Sequence, residues 1–183
     1  MTHIPEAAER ILRDGVLCYL AAPSPAGPHT TPVVFALENG RVYGTTGRRT
    51  TKAKLWRREA SAGGLVRGGD RTLVFRGPVT LYDALDPSTW LASMLRSVEL
   101  TLASARFTAK NARFFAGYAR DAARVPLSWT PPARVMFSVD VASGAILEGR
   151  AVVERWGEWG DGTTALKSFR RDRGGIEAQG LPE

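Results

Sequence analysis

Apolar and polar positions along the chain predict a mostly antiparallel β protein with helices set between its strands. Ile4, Ala8, Ile11 and Leu12 recur at helical spacing, so residues 5–14 read as a short amphipathic helix that Asp14-Gly15 ends. Residues 16–22 form a continuous apolar run with one aromatic, the pattern of a buried strand. A turn rich in proline follows over 23–28, and residues 30–37 read as a second strand. Asn39-Gly40 then stands between two β-rich runs, a strong hairpin signal because both residue types tolerate positive φ. Residues 41–46 are the returning strand, so the first three strands are expected to form a meander.

Residues 47–51 are a polar, basic turn, and 52–58 read as a short helix with Ala53, Leu55 and Trp56 on its apolar side. Residues 63–66 are a short strand candidate and Gly68-Gly69-Asp70 a turn. Residues 72–82 make a long strand in which Gly77-Pro78 marks a bulge or kink. Asp86-Pro87-Ser88 opens a helix, with Ser88 as the expected N-cap. Residues 89–103 and 107–123 read as helical, and 125–132, with three prolines, as a loop. Strands are expected at 134–141 and 145–148. From Asp161 onward the chain is polar, Gly-rich and charged, so 161–183 is expected to be a flexible tail. Strands and helices do not alternate as in a doubly wound sheet. The order fits a mainly β (α+β) architecture, a split β-barrel of about six antiparallel strands with flanking helices.

The chain has 183 residues, 44% of them apolar, which suits one domain with a real core. No apolar run approaches the ~18–20 residues of a membrane helix, and the N-terminus lacks the plan of a signal peptide. Cys18 is the only cysteine, so no intramolecular disulfide can form. A cytoplasmic protein that does not contact membrane is expected. The formal charge of +7 suits nucleic acid, an anionic membrane or a phosphorylated small molecule. Almost all of the positive charge is arginine, since Lys52, Lys54, Lys110 and Lys167 are the only lysines. Part of the basic excess therefore reads as coding bias. No nucleic-acid module is visible, and no nucleic-acid partner is expected. His3 and His29 are too few for a histidine metal site, and no metal is expected.

Candidate chemistry concentrates in residues 42–56, a strand, a tight polar turn and a helix start. Three cations and several hydroxyls crowd this turn: Thr46, Arg48, Arg49, Thr50 and Lys52. Helix-start N–H groups add donors and the positive end of the dipole. Arginine offers forked hydrogen bonds to phosphate oxygens and lysine a point charge. The spacing is neither a P-loop nor a dinucleotide glycine fingerprint. The plain alternative is a solvated basic turn in an arginine-rich protein.

His29-Thr30-Thr31-Pro32-Val33, then Phe35, Asn39-Gly40, Val42-Tyr43, Thr46, Thr50 and Lys52, followed by residues 76–81, resemble the pyridoxamine 5′-phosphate oxidase-like family. That family includes flavin- and deazaflavin-dependent oxidoreductases, and the match covers about residues 8–85. The resemblance implies an FMN-binding split-barrel domain over 1–160 with a helical insertion at 88–125. It implies a homodimer with cofactor at the interface and hydride transfer to or from a small-molecule substrate. Thr30, Thr31, Pro32 and Val33 would lie along the isoalloxazine ring, and Thr46, Thr50 and Lys52 would hold the phosphate by motif. Arg48 and Arg49 join them on charge and location. The implied cofactor is FMN, with coenzyme F-420, an 8-hydroxy-5-deazaflavin, as the alternative, and a non-catalytic flavin or haem carrier as another use of the fold. Glu59-Ala60-Ser61 replaces the family's Asn-Pro or Asp-Pro, and no Arg-x-x-Pro ending is visible, so pyridoxamine phosphate is not the expected substrate. No side chain is assigned a catalytic role.

The remaining candidates have plainer readings. Cys18 in mid-strand reads as a buried, inert thiol. His29 reads as solvent-exposed, with a ring-edge contact as the alternative. Asp83 and Asp86 flank a loop and helix start, where acids are expected. Trp56 reads as core or dimer contact. Trp156 and Trp159 could cover a cofactor ring by stacking. Arg106, Lys110, Arg113 and Arg120 recur at helical steps, giving a solvated basic face or a wall for an anionic tail.

Overall fold

A computed structural model describes residues 4–120 and 133–159. Nine strands and five α-helices lie within them. The loop at 125–132, the helix beyond 120 and the tail from 161 fall outside the described residues. Helix α1 (Glu6–Asp14) buries Ala8, Ile11 and Leu12 and ends at Gly15. Strand β1 (Leu17–Ala22) alternates: Cys18, Leu20 and Ala22 are fully buried, whereas Leu17 and Tyr19 are exposed. It is thus half-buried, not the fully buried strand its unbroken apolar run suggests, because only one of its faces meets the core.

The expected strand at 30–37 is two strands. β2 (His29–Val34) pairs with β1, and β3 (Ala36–Glu38) pairs with β4 (Arg41–Gly47) across the Asn39-Gly40 turn. Both turn residues have positive φ, as that hairpin requires. Phe35, fully buried, is the joint between the two. The first strands therefore do not form one meander. They stand at opposite ends of the strand order, β2 beside β1 at one end and β3 beside β4 at the other, and every pairing is antiparallel.

Helix α2 (Thr51–Arg58) follows β4, and β5 (Ser61–Gly68) and β6 (Arg71–Tyr82) form the next hairpin. β6 changes partner along its length. Residues 71–76 pair with β8 (Ser143–Glu148), and residues 79–82 pair with β7 (Arg134–Asp140). Gly77 sits at the change. A Cβ there would lie 1.7 Å from the Asp140 carbonyl oxygen, so only glycine lets the two backbones approach. β9 (Ala151–Trp156) pairs with β8 and has no counterpart in the sequence reading. The split barrel stands, with nine strands in place of about six.

The barrel encloses Leu20, Phe35, Val42, Trp56, Leu73, Phe75, Phe137, Val139 and Ile146. Trp56 lies 4.9 Å from the Phe137 ring, which makes it core. A short 3₁₀ turn at Pro87–Thr89 precedes α3 (Trp90–Leu95), α4 (Ser97–Lys110) and α5 (Ala112–Arg120). The cap is Asp86, whose side chain accepts from the Ser88 N–H, so Ser88 is not the N-cap. The helices break at Arg96 and Asn111, not between 103 and 107. Glu99 of α4 accepts from Arg41 (2.7 Å) and the Tyr43 hydroxyl (2.6 Å) of β4, fixing helix to barrel. No helix of the described residues is long and apolar enough to cross a membrane.

Candidate functional site

Among the described residues β2 pairs with β1 alone, an edge position in which Pro32 is tolerated. Between β2, the end of β4, the start of α2, α5 and the start of β7 lies a cavity of about 750 Å³. Its lining includes Thr31, Pro32, Val33, Thr46, Arg49, Thr50 and Lys52. Seven residues picked out by motif or charge thus share one wall. Thr30 is exposed and is not in the lining.

The polar turn is built by its own hydroxyls. Thr50 caps α2: its Oγ1 accepts from the Ala53 N–H (3.4 Å) and donates to the Gly47 carbonyl (2.8 Å). Thr46 Oγ1 lies 3.1 Å from Thr50 Oγ1. The first N–H groups of α2 open at this end, where the helix dipole is positive.

Lys52 turns inward. Its ammonium donates to Thr31 Oγ1 at 2.8 Å and sits over the Trp56 and Phe137 rings, 5.4 and 5.7 Å from their centroids. Burial pushes its pKa down from 10.5 to about 8, and the charge of Arg134 adds to that shift. Burial also lowers the pKa of Arg134, whose guanidinium donates to Thr45 Oγ1 (2.8 Å) and the Thr45 carbonyl (3.1 Å). Arg49 is exposed at the rim and has no hydrogen bond or ion pair among the described residues. The cavity therefore gathers Arg49, Lys52 and Arg134, and among the described residues its lining includes no carboxylate. Like charges held this close in a partly dry space favour an anion. A second cavity, about 650 Å³ between α1 and the β5–β6 hairpin, mixes Arg10, Arg67 and Arg71 with Asp14 and Asp70 and has no such imbalance.

Arg48 does not enter the site. Its guanidinium holds the buried carboxylate of Asp83, donating to Oδ1 and Oδ2 at 2.9 Å. Arg57, at the end of α2, donates to the same carboxylate (2.9 Å) and to the Arg48 carbonyl (2.9 Å). Burial alone would raise the Asp83 pKa, but the Arg48 bond, the Leu85 N–H and both guanidinium charges hold it below its ordinary value. The Arg48–Asp83–Arg57 cluster clamps the turn from behind. Arg48 thereby ties the turn to the residue that follows β6.

Trp156 is also elsewhere. It lies on β9 with its ring over Gly144, where a Cβ would stand 2.4 Å from it. Of the basic face expected on the long helix, Arg113 is exposed, while Lys110 and Arg106 are engaged with other elements. Lys110 bends inward to donate to the Leu12 carbonyl (3.0 Å) with its ammonium 4.1 Å from the Phe35 ring centroid, and Arg106 pairs with Glu38. Cys18 is buried, and burial pushes its thiol up to about 12, so it is inert at neutral pH.

Three contributors were not picked out from the sequence. Arg134 arrives because β7 pairs with β4 in a register that sets it opposite Gly47, a long-range pairing without a local signal. Phe114 and Phe115 line the cavity from α5, and two adjacent aromatics on a helix were a signal available in the sequence. His29, read as solvent-exposed, is half-buried in the lining.

No family profile matches the chain, and no curated protein does. Solved structures do match. A FAD-binding protein from Mesorhizobium loti is similar at 13% identity and TM-score 0.56, over 80% of this chain and 95% of that one. A pyridoxamine 5′-phosphate oxidase-related, FMN-binding protein from Nostoc punctiforme is similar at 18% identity and TM-score 0.52, over 81% and 87%. A haem-binding protein from Mycobacterium smegmatis is similar at 13% identity and TM-score 0.57, over 85% of this chain and 60% of that one. At these identities the likeness is one of fold, the split barrel.

Proposed function

We propose that this split-barrel chain is a flavin-binding oxidoreductase of the pyridoxamine 5′-phosphate oxidase-like family that takes FMN. The observation carrying this reading is the cavity that brings Arg49, Lys52 and Arg134 together with Thr46 and Thr50 at the capped start of a helix. Its size lies within the ~300–1,000 Å³ of ordinary ligand sites. Its donor set suits a phosphate monoester, and its β2 and α5 walls suit a flat ring system, so the residues fit the group. Arg49, Thr46, Thr50 and Lys52 hold the phosphate, and Thr31, Pro32 and Val33 border the ring. Lys52, by bonding Thr31, ties the phosphate turn to the ring strand. The flavin, when bound, supplies the hydride chemistry, and the protein supplies binding and orientation. A small-molecule substrate shares the cavity, and the working form is a homodimer. Exposed Trp90, Leu91, Met94, Leu95 and Val98 on α3 and α4 support association, because monomers seldom leave large apolar patches in water.

FMN is favoured over the deazaflavin by one observation. A polyglutamate tail needs spare basic surface, and Lys110 and Arg106 of α4 are already engaged with the barrel.

The test is the visible absorption spectrum of protein purified from a host that makes FMN but no deazaflavin. A flavin spectrum, lost in Arg49→Ala, is the expected result. A colourless protein that binds neither cofactor on titration, followed by tryptophan fluorescence, would overturn the reading.

A further inference from the structure

The wall of the cavity facing the phosphate turn is aromatic, and its construction is specific to the helical insertion. Helix α4 ends at Lys110, and Asn111 begins the step into α5. That step is bolted to the barrel. The Asn111 side-chain amide, 2% exposed, donates to the Phe107 carbonyl (2.8 Å) and to the carbonyl of Phe35 (3.3 Å), the joint next to β2. Lys110 holds the Leu12 carbonyl and covers the Phe35 ring from the same side. From this fixed root a run of rings reaches outward. Buried Phe107 packs against Phe115 (5.7 Å between centroids), and Phe115 meets Phe114 edge-on (5.9 Å). Phe114 and Phe115 end in the cavity lining, 36% and 37% exposed.

Two half-exposed rings share one lining with Arg49, Lys52 and Arg134 and the start of α2, so the cavity offers π faces and edges together with charge and helix N–H groups. A ligand joining an anionic head to a flat aromatic body satisfies both kinds of group, whereas a phosphorylated sugar or polyol leaves the rings wet. We infer that Phe114 and Phe115 are specificity-determining residues that receive the aromatic body of the ligand, so that α5 selects phosphorylated aromatics over equally charged aliphatic phosphates. With flavin as the ligand this deepens the reading proposed above and rests on it, since the ring would lie between β2 and α5. The preference itself is a property of the wall and is measurable without flavin.

The experiment titrates the full chain by calorimetry with 1-naphthyl phosphate and glycerol 3-phosphate, which share a head group and differ in the ring, and in parallel with FMN. Ring contacts contribute ~0.5–1.5 kcal/mol beyond area burial, so a preference of about tenfold for naphthyl phosphate is expected in the unaltered chain. Phe114→Ala with Phe115→Ala should bring the two affinities together while leaving glycerol phosphate unchanged. Phe114→Leu with Phe115→Leu keeps apolar bulk if the alanine pair fails to fold, and should remove most of the preference. Equal affinities in the unaltered chain, or a preference that survives both pairs of substitutions, would overturn the inference. Naphthyl preference without FMN binding would sustain the inference and sink the flavin reading. FMN binding unaffected by either pair would do the reverse.

Discussion

Replacing Lys52 by methionine should stabilise the protein and disable it. Lys52 is 5% exposed, with its ammonium among Trp56, Phe137 and Thr31, and burial moves its pKa from 10.5 to about 8. Each pKa unit corresponds to ~1.36 kcal/mol, so the charged side chain costs the fold up to about 3 kcal/mol at pH 7. The two cation–π contacts and the Thr31 bond return part of this, leaving ~1–2 kcal/mol. The sign follows from proton counting. Between pH 8 and 10.5 the native state has released the proton and the unfolded chain still holds it, so the stability of the natural chain rises across that window. Lys52→Met has no proton to lose there. Urea unfolding at pH 7 and pH 10 should show the methionine variant more stable by ~1–2 kcal/mol at pH 7, with most of that gap gone at pH 10. Lys110, also lowered to about 8 by burial, is present in both proteins and cancels in the difference. The same variant should lose FMN affinity, and the natural chain's FMN affinity should fall as pH rises through 8. A gap that is unchanged between the two pH values would refute the placement of a charged Lys52 in the core.

Two further substitutions probe the frame around the site. Gly77→Ala sets a Cβ 1.7 Å from the Asp140 carbonyl, which no rotamer can relieve, and should cost at least ~3 kcal/mol in urea unfolding, whereas Gly63→Ala, whose nearest contact would be 3.8 Å, should cost under ~1 kcal/mol. Asp83→Asn removes the carboxylate that Arg48 and Arg57 share and leaves Arg57 the longer contact to Asp86, at 3.9 Å. Those arginines are 22% and 33% exposed and can rehydrate in part, so a loss of ~2–3 kcal/mol at pH 7 is expected. Because the Asp83 pKa is held below its ordinary 3.8, the natural chain should lose stability as pH falls from there, and acid titration of the asparagine variant should lack that component.

Local chemistry was legible in the sequence and long-range placement was not. Asn39-Gly40, the Gly77-Pro78 kink and the start of α2 rest on residue-level conformational rules, and each stands where those rules put it. Arg49, Thr50 and Lys52 fall in one cavity because one short segment carries them, and Thr31 meets them through its hydrogen bond with Lys52. Phe35 hid the division of a strand, since a buried aromatic reads alike in a strand and at a joint. Arg48 looked like a ligand because its counter-charge, Asp83, is 35 residues away in sequence. Lys110 and Arg106 looked like surface charge for the same reason: Leu12 and Glu38 come from distant elements. Arg134 enters the site only through the β4–β7 register.

The two strands that bound the cavity, β2 and β4, come from opposite ends of the strand order. They meet only when the sheet has curled, and among the described residues β6 is the one strand that joins both halves. The site is therefore a product of closure and belongs to no single segment. A half-folded chain holds the turn between β4 and α2 without β2, or the reverse, and neither half alone has the full donor set. Ligand capture at this cavity would thus report the whole barrel at once. It should appear in refolding only with the last slow phase, however early the β3–β4 hairpin and α2 have formed.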